Sequence, residues 1–348
     1  MVLDYIVVGF GLSGLSFVEQ LENHNKSYMV YEDFSQKSSR VAGGLYNPII
    51  LKRFTMAWQA SQQIKTAVSF YKNVETKLKK PLVSELPILR RFNAVEEQNS
   101  WFEACDKPLL EEFLSSELIR NTNPAIDIPF HYGKVKHTGK IDISNMLSAY
   151  AKNLKENNML IDETFEYDKV AIVEDYIQYK EVKCRHIVFA EGFGVKNNPF
   201  FNNLPLYGNK GEYIIIKSEA LKLKEAVKSS IFIIPFGNDF YKVGATYNSQ
   251  DTSPEITIAA KEELQKKLEK FLKVPYRVVD QVAGIRPTVR DRRPLIGTHA
   301  KYANVHILNG MGSRGILLAP TMAKELYKYI EKGISLDKEI DCKRYENL

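Results

Sequence analysis

Gly9-Phe10-Gly11-Leu12-Ser13-Gly14 follows directly on Leu3-Asp4-Tyr5-Ile6-Val7-Val8, and this succession decides the fold. The run from Leu3 to Val8 is short and largely apolar, as a buried strand requires, while Leu15, Val18 and Leu21 then repeat with helical spacing. Strand, glycine turn and helix in that order form a phosphate-binding unit. The first glycine permits the turn, the second lets a pyrophosphate approach the backbone at the positive helix N-terminus, and the third lets helix and strand pack closely. Tyr28-Met29-Val30-Tyr31 predicts a second strand ending in Glu32, eighteen residues after Gly14, where a carboxylate can accept hydrogen bonds from a ribose. Asp33 is the alternative ribose acid; Glu32 is favoured because it closes the apolar run.

The composition frames this reading. A chain of 348 residues, 44% hydrophobic and 26% charged, can bury a sizeable core in one large or two ordinary domains. No stretch approaches the roughly 20 apolar residues of a membrane span, and the apolar start runs straight into the glycine turn, so neither membrane association nor a signal peptide is expected and a cytoplasmic location is. Cys105, Cys184 and Cys342 are odd in number and far apart, which argues against a disulfide framework and against a metal site. The net charge of +6 is compatible with an anionic partner and equally with a small-molecule enzyme.

Beyond Glu32, the segment Ser38-Ser39-Arg40-Val41-Ala42-Gly43-Gly44-Leu45-Tyr46-Asn47-Pro48 is rich in small and turn-forming residues, as in a loop against a ligand or on the surface. A helix is predicted from Met56 to Lys79, strands at Leu86 to Phe92 and Phe130 to Val135, and helical segments around Trp101 to Cys105 and Leu109 to Phe113. Asp142 and Ser144 supply caps for a helix to about Leu154, followed by short strands at Lys169 to Val173 and Tyr176 to Tyr179. Ile187-Val188-Phe189-Ala190-Glu191-Gly192 reads as a return to the nucleotide sheet, and Gly211 to Lys217, Ile231 to Pro235 and Phe240 to Tyr247 as an antiparallel sheet. A basic helix from Ile258 to Leu272 has either a solvated or an RNA-facing lysine side; lone His137 reads as structural.

A second glycine signature, Gly310-Met311-Gly312-Ser313-Arg314-Gly315, opens a predicted helix to about Ile330, so both ends of the chain contribute to one site. Arg286 lies on a strand through Gly284-Ile285-Arg286, and Arg314 lies in the glycine turn. Such positions project side chains into sites, where two guanidinium forks could clasp a carboxylate or pair with an acid at a domain interface.

Together, Gly9-Phe10-Gly11-Leu12-Ser13-Gly14, Glu32, Val188-Phe189-Ala190-Glu191-Gly192, Gly284-Ile285-Arg286-Pro287 and Gly315-Ile316-Leu317-Leu318-Ala319-Pro320 resemble the D-amino-acid-oxidase superfamily of FAD enzymes. Within it, Gly284-Ile285-Arg286-Pro287 with the Arg314 motif is similar to the glycine oxidases. Val243-Gly244-Ala245-Thr246-Tyr247, Arg290-Asp291 and Gly312-Ser313-Arg314-Gly315 are similar to the flavin domain that trims a carboxymethyl group from the wobble uridine of tRNA. The resemblance implies a discontinuous Rossmann-like α/β FAD domain (1-80, 138-205 and 282-348) and an inserted antiparallel α+β substrate domain (81-137 and 206-281). It implies noncovalent FAD contacted by Gly9, Gly11, Leu12, Ser13, Gly14, Glu32, Asp33, Ser39, Arg40, Gly43, Gly44, Leu45, Val170, Ala190, Gly192, Gly310, Gly312, Ser313, Arg314, Gly315 and Ile316. Arg286 and Arg314 would hold the substrate carboxylate. The implied reaction oxidises the C–N bond of an amine, either an N-substituted glycine borne on modified tRNA or free glycine, sarcosine or a D-amino acid, as an oxidase with dioxygen as acceptor or as a dehydrogenase. A tRNA role would need a separate methyltransferase. A flavoprotein without turnover is the alternative from another class.

Overall fold

The computed structural model describes residues 2–174 and 176–345, so the outer segment limits 1 and 348 lie outside the described residues. An eight-stranded sheet forms around Val2–Val8, which pairs in parallel with Tyr28–Tyr31 on one side and Val182–Phe189 on the other. Val305–Asn309 adds in parallel to Val182–Phe189. The register sets Val8 against both Tyr31 and Phe189, and Phe189 against Ile307. Parallel strands in such register end together, which is why Gly9, Glu32, Ala190 and Gly310 emerge along one edge despite their separation in sequence. The strands are buried on both faces: Tyr5, Ile6, Val7, Val30, Ile187, Val188 and Ile307 are all 0% exposed. Leu12–Asn23 and Gly315–Lys332 pack together against one face through Leu15, Val18, Leu21, Ala319 and Ala323.

A second eight-stranded sheet runs in the order Arg277–Val289, Leu206–Lys217, Phe240–Gly244, Phe232–Gly237, Ala226–Lys228, Ile88–Arg91, Tyr132–Val135, Leu114–Ile119. Its pairs are antiparallel except Ala226–Lys228 with Ile88–Arg91. Alternation decides its faces: Ile214, Ile216, Ile233, Tyr241 and Val243 pack beneath Leu264 and Leu268 of the helix Ile258–Glu269. The intervening residues Tyr213, Phe232 and Ile234 face the nucleotide sheet's open edge. Arg277–Val289 belongs wholly to this sheet and crosses the expected division at 281/282.

Several elements depart from expectation. The first long helix spans Ala60–Leu78 rather than beginning at Met56, because Thr55–Met56 pairs with Ile49–Ile50 and Gln59 takes a left-handed φ of 49°. The strand expected at Leu86 to Phe92 is confined to Ile88–Arg91, beyond Pro87, while Val83–Glu85 before it is a separate strand in a different sheet. Leu109 to Phe113 forms turns with Leu109 at φ 69°, and the next residues, Leu114–Ile119, form an edge strand. No helix among the described residues is long and apolar enough to cross a membrane.

Candidate active site

The open edge of the first sheet and the inner face of the second enclose a cavity of about 550 Å3. Its wall is formed by Gly9, Gly11, Leu12 and Ser13, by Glu32, Asp33 and Ser39, by Gly43, Gly44 and Leu45, and by Tyr213, Thr246, Tyr247 and Arg286. Ala190, Gly192, Gly312, Ser313, Gly315 and Ile316 complete the predicted set on the wall.

At the glycine turn the residues fit a dinucleotide. A Cβ on Gly14 would lie 2.0 Å from the Gly9 carbonyl oxygen, so glycine alone allows this close crossing of helix and strand. Gly11 at the N-cap of the helix Leu12–Asn23 brings no capping side chain, and Ser39 Oγ accepts from Leu12 N at 3.1 Å, so the positive helix N-terminus and this hydroxyl meet at the cavity wall. Glu32 is anchored by the backbone N–H groups of Phe10 and Phe34, the latter at 2.6 Å. Burial raises its carboxyl above the ordinary range, and those two hydrogen bonds oppose the rise. Asp33 also reaches the wall; burial pulls it up, but donors from Ser35 and Thr164 prevail and hold it low. Both acids are therefore placed for a ribose.

Four predicted contacts besides Gly14 lie off the wall. Arg40 turns outward to Ser148 Oγ at 2.9 Å and lies over the Phe34 ring. Gly310 packs against Leu295 and Val289, and Val170 sits on the short strand Val170–Ile172, paired to Tyr179. Arg314, one residue beyond Ser313, is directed to the Asn47 carbonyl at 3.3 Å. Burial, with the nearby Arg292 charge, depresses its guanidinium to about 10. Of the two arginines expected to clasp a carboxylate, Arg286 lies on the wall and Arg314 does not.

Arg286 is half-buried. Its Nη1 donates to Asn209 Oδ1 at 3.0 Å, both terminal nitrogens reach the Thr246 carbonyl at 3.4 Å, and the Tyr247 ring lies 5.5 Å from it. It has no carboxylate partner among the described residues, so the interface ion pair weighed above is not formed. A guanidinium held by neutral acceptors has its charge uncancelled and open to an incoming anion. Across the strand pair, a Cβ on Gly211 would lie 1.9 Å from Arg286 Nη2. Gly211→Ala is therefore expected to displace this guanidinium and raise KM for a carboxylate substrate about tenfold, the equivalent of one weakened charged hydrogen bond. FAD content and thermal stability should stay near wild type. Unaltered KM, or loss of FAD, would count against this placement.

The wall also holds residues that the sequence did not mark. Tyr213, Phe232 and Ile234 form its apolar part; they alternate with core residues on ordinary strands and carry no motif. Asn309 Nδ2 fixes the Gly192 carbonyl at 2.8 Å. Lys242, 5% exposed, donates to the Ala42 carbonyl behind the Gly43 loop, and burial with Lys140 nearby lowers it to about 8.

Glu191 accepts from Tyr167 at 2.5 Å and from Asn198 at 2.8 Å, yet burial pushes its carboxyl up to about 7. A carboxyl raised from 4.5 in the unfolded chain stabilises the fold fully below pH 4.5 and loses that contribution as pH rises through about 7. The difference is about 3 kcal/mol. Glu191→Gln should consequently unfold at higher urea than wild type at pH 8, with the gap closing at pH 4.5. A gap that stays constant with pH would assign the ionisation elsewhere.

The comparisons agree with this geometry. The family model "FAD dependent oxidoreductase" matches residues 4–328. Glycine oxidase of Bacillus licheniformis is 24% identical over 354 residues, covering 91% of this chain and 90% of that protein. The tRNA 5-methylaminomethyl-2-thiouridine biosynthesis bifunctional protein of Legionella pneumophila is 26% identical over 186 residues, covering 44% of this chain and 28% of its own. Among solved structures, glycine oxidase from Geobacillus kaustophilus superposes with a TM-score of 0.78 at 16% identity, covering 97% of this chain and 96% of that one.

Proposed function

Because the chain belongs to the family of FAD-dependent oxidoreductases, we propose that it oxidises the C–N bond of an N-substituted glycine, preferentially one carried on the wobble uridine of tRNA. The observation that carries the substrate class is Arg286, a cavity-wall guanidinium held by neutral acceptors. A bidentate fork there orients a substrate through its carboxylate and fixes its α-carbon, while Tyr213, Phe232 and Ile234 shield the reacting bond from water. FAD, when bound, supplies the two-electron acceptor for the α C–H bond, and Gly9, Gly11, Ser13, Glu32, Gly43, Gly44, Ala190 and Gly312 would hold it. Water then hydrolyses the substrate imine, releasing the shortened amine and glyoxylate. No protein base is required if the amine enters neutral.

In this reading the nucleotide half comprises 1-80, 138-205 and the chain beyond Val289, the substrate half comprises 81-137 and 206-289, and dioxygen is the acceptor. Buried Cys105, Cys184 and Cys342 stand off the cavity wall, which suits noncovalent cofactor. The full-length similarity to glycine oxidase favours a second reading, free glycine or sarcosine as substrate.

Single-turnover flavin reduction separates the two. Carboxymethylaminomethyl-tRNA should reduce the flavin faster than glycine, sarcosine or D-alanine. Rapid reduction by a free amino acid with none by the tRNA would replace the first reading with the second.

A further inference from the structure

The turn after the Arg286 strand carries cations that amine oxidation does not use. Arg290 and Arg292 are exposed there, with Arg292 at φ 58°. Asp291 between them is committed to the protein: it accepts from Arg293 N at 2.9 Å, Arg344 Nε at 3.0 Å and the Tyr345 hydroxyl at 2.8 Å. Arg293 is likewise engaged, pairing with Glu339 at 2.9 Å and lying over the Trp58 ring. These contacts pin the turn while neutralising neither Arg290 nor Arg292. The Trp58 ring, 4.9 Å from the Arg293 guanidinium, brings the turn against the segment that bears exposed Lys52 and Arg53, whose start is held by Arg314 through the Asn47 carbonyl.

None of Lys52, Arg53, Arg290, Arg292 and Arg314 forms a salt bridge among the described residues. The turn follows a strand whose Arg286 and Pro287 line the cavity. Arg290 lies one residue beyond the end of the Arg286 strand, Arg314 follows wall residues Gly312 and Ser313, and a Cβ on Gly312 would lie 3.9 Å from the Pro287 carbonyl oxygen. Like charges gathered without counter-ions repel one another, and a polyanion relieves that repulsion along with its own counter-ion atmosphere. A free amino acid offers one carboxylate, for which Arg286 suffices.

We propose that the exposed Lys52, Arg53, Arg290 and Arg292 form a phosphate-contacting rim that seats RNA backbone flanking the nucleotide in the cavity. This rests on the tRNA reading above. The rim supplies affinity and register, while Arg286 acts on the carboxymethyl group alone.

The test uses the FAD-loaded triple variant Arg53→Glu, Arg290→Glu, Arg292→Glu, with two reductants: carboxymethylaminomethyl-tRNA and the free modified nucleoside. The tRNA concentration giving half-maximal reduction should rise at least roughly tenfold, and the slope of log affinity against log salt should flatten by about 0.9 for each phosphate that is no longer neutralised. Reduction by the nucleoside should match wild type. If the Glu variant fails to retain FAD, the corresponding Gln variant decides by the same readouts, with a smaller shift in the same direction. Wild type and variant alike in tRNA affinity and salt slope would overturn the rim while leaving the tRNA reading intact. Wild-type flavin reduced by free amines and never by tRNA would overturn both.

Discussion

Gly11→Val should yield a protein that folds but purifies nearly colourless, because the valine methyls enter the cavity at the helix N-terminus where a pyrophosphate must meet the backbone. A Cβ alone at Gly11 would lie 3.0 Å from Ser39 Oγ, so the side chain has little room to turn away from the cofactor. Overpacking of this kind costs about 1–3 kcal/mol, or roughly fivefold to a hundredfold in FAD affinity. Isothermal titration of FAD into the apoprotein measures it. Wild-type affinity with a soluble, folded variant would move the cofactor site away from this loop.

The second large effect is expected at Arg286. Arg286→Lys retains the charge but replaces a planar fork with a point donor that cannot hold both carboxylate oxygens. Losing one charged hydrogen bond costs about 1.5–3 kcal/mol, so kcat/KM should fall roughly tenfold to a hundredfold. Arg286→Met should fall further, leaving Asn209 Oδ1 and the Thr246 carbonyl without their donor. Stopped-flow flavin reduction with sarcosine and with carboxymethylaminomethyl-tRNA reads both. Kinetics indifferent to either change, with FAD retained, would make Arg286 a structural residue.

What was legible in the chain depended on how local each signal was. Gly9 to Gly14, Glu32, Ala190 to Gly192 and Gly312 to Gly315 sit where strands end, and short stretches of sequence announce strand ends. Parallel pairing then brings those ends together without further information. Arg314 shows the limit. Its position in a glycine turn is plain, but whether it faces the cavity or Asn47 depends on the rotation of that turn against a loop 267 residues away. Tyr213 and Ile234 escaped notice for a related reason: in Tyr213-Ile214-Ile215-Ile216 every residue suits a buried face, and only the helix lying over Ile214 and Ile216 decides which face meets the cofactor. The edge strand Leu114–Ile119 was hidden by its polar centre, Ser115-Ser116-Glu117, which faces no core.

The strand Arg277–Val289 pairs along Leu206–Lys217 from end to end, and its far end enters the turn that leads into Leu295–Thr298 of the other sheet. It acts as a beam shared by both halves. The distance from the carboxylate anchor to the redox centre is therefore built into continuous backbone, whereas the hairpin at Gly237–Phe240 and the segment 218–225 hang from other strands of the same sheet. Lineages could lengthen or recharge those appendages, changing which molecules gain entry, while electron transfer keeps its geometry. Divergence in diet and constancy in chemistry are then two properties of one scaffold, separated by which strand a mutation lands on.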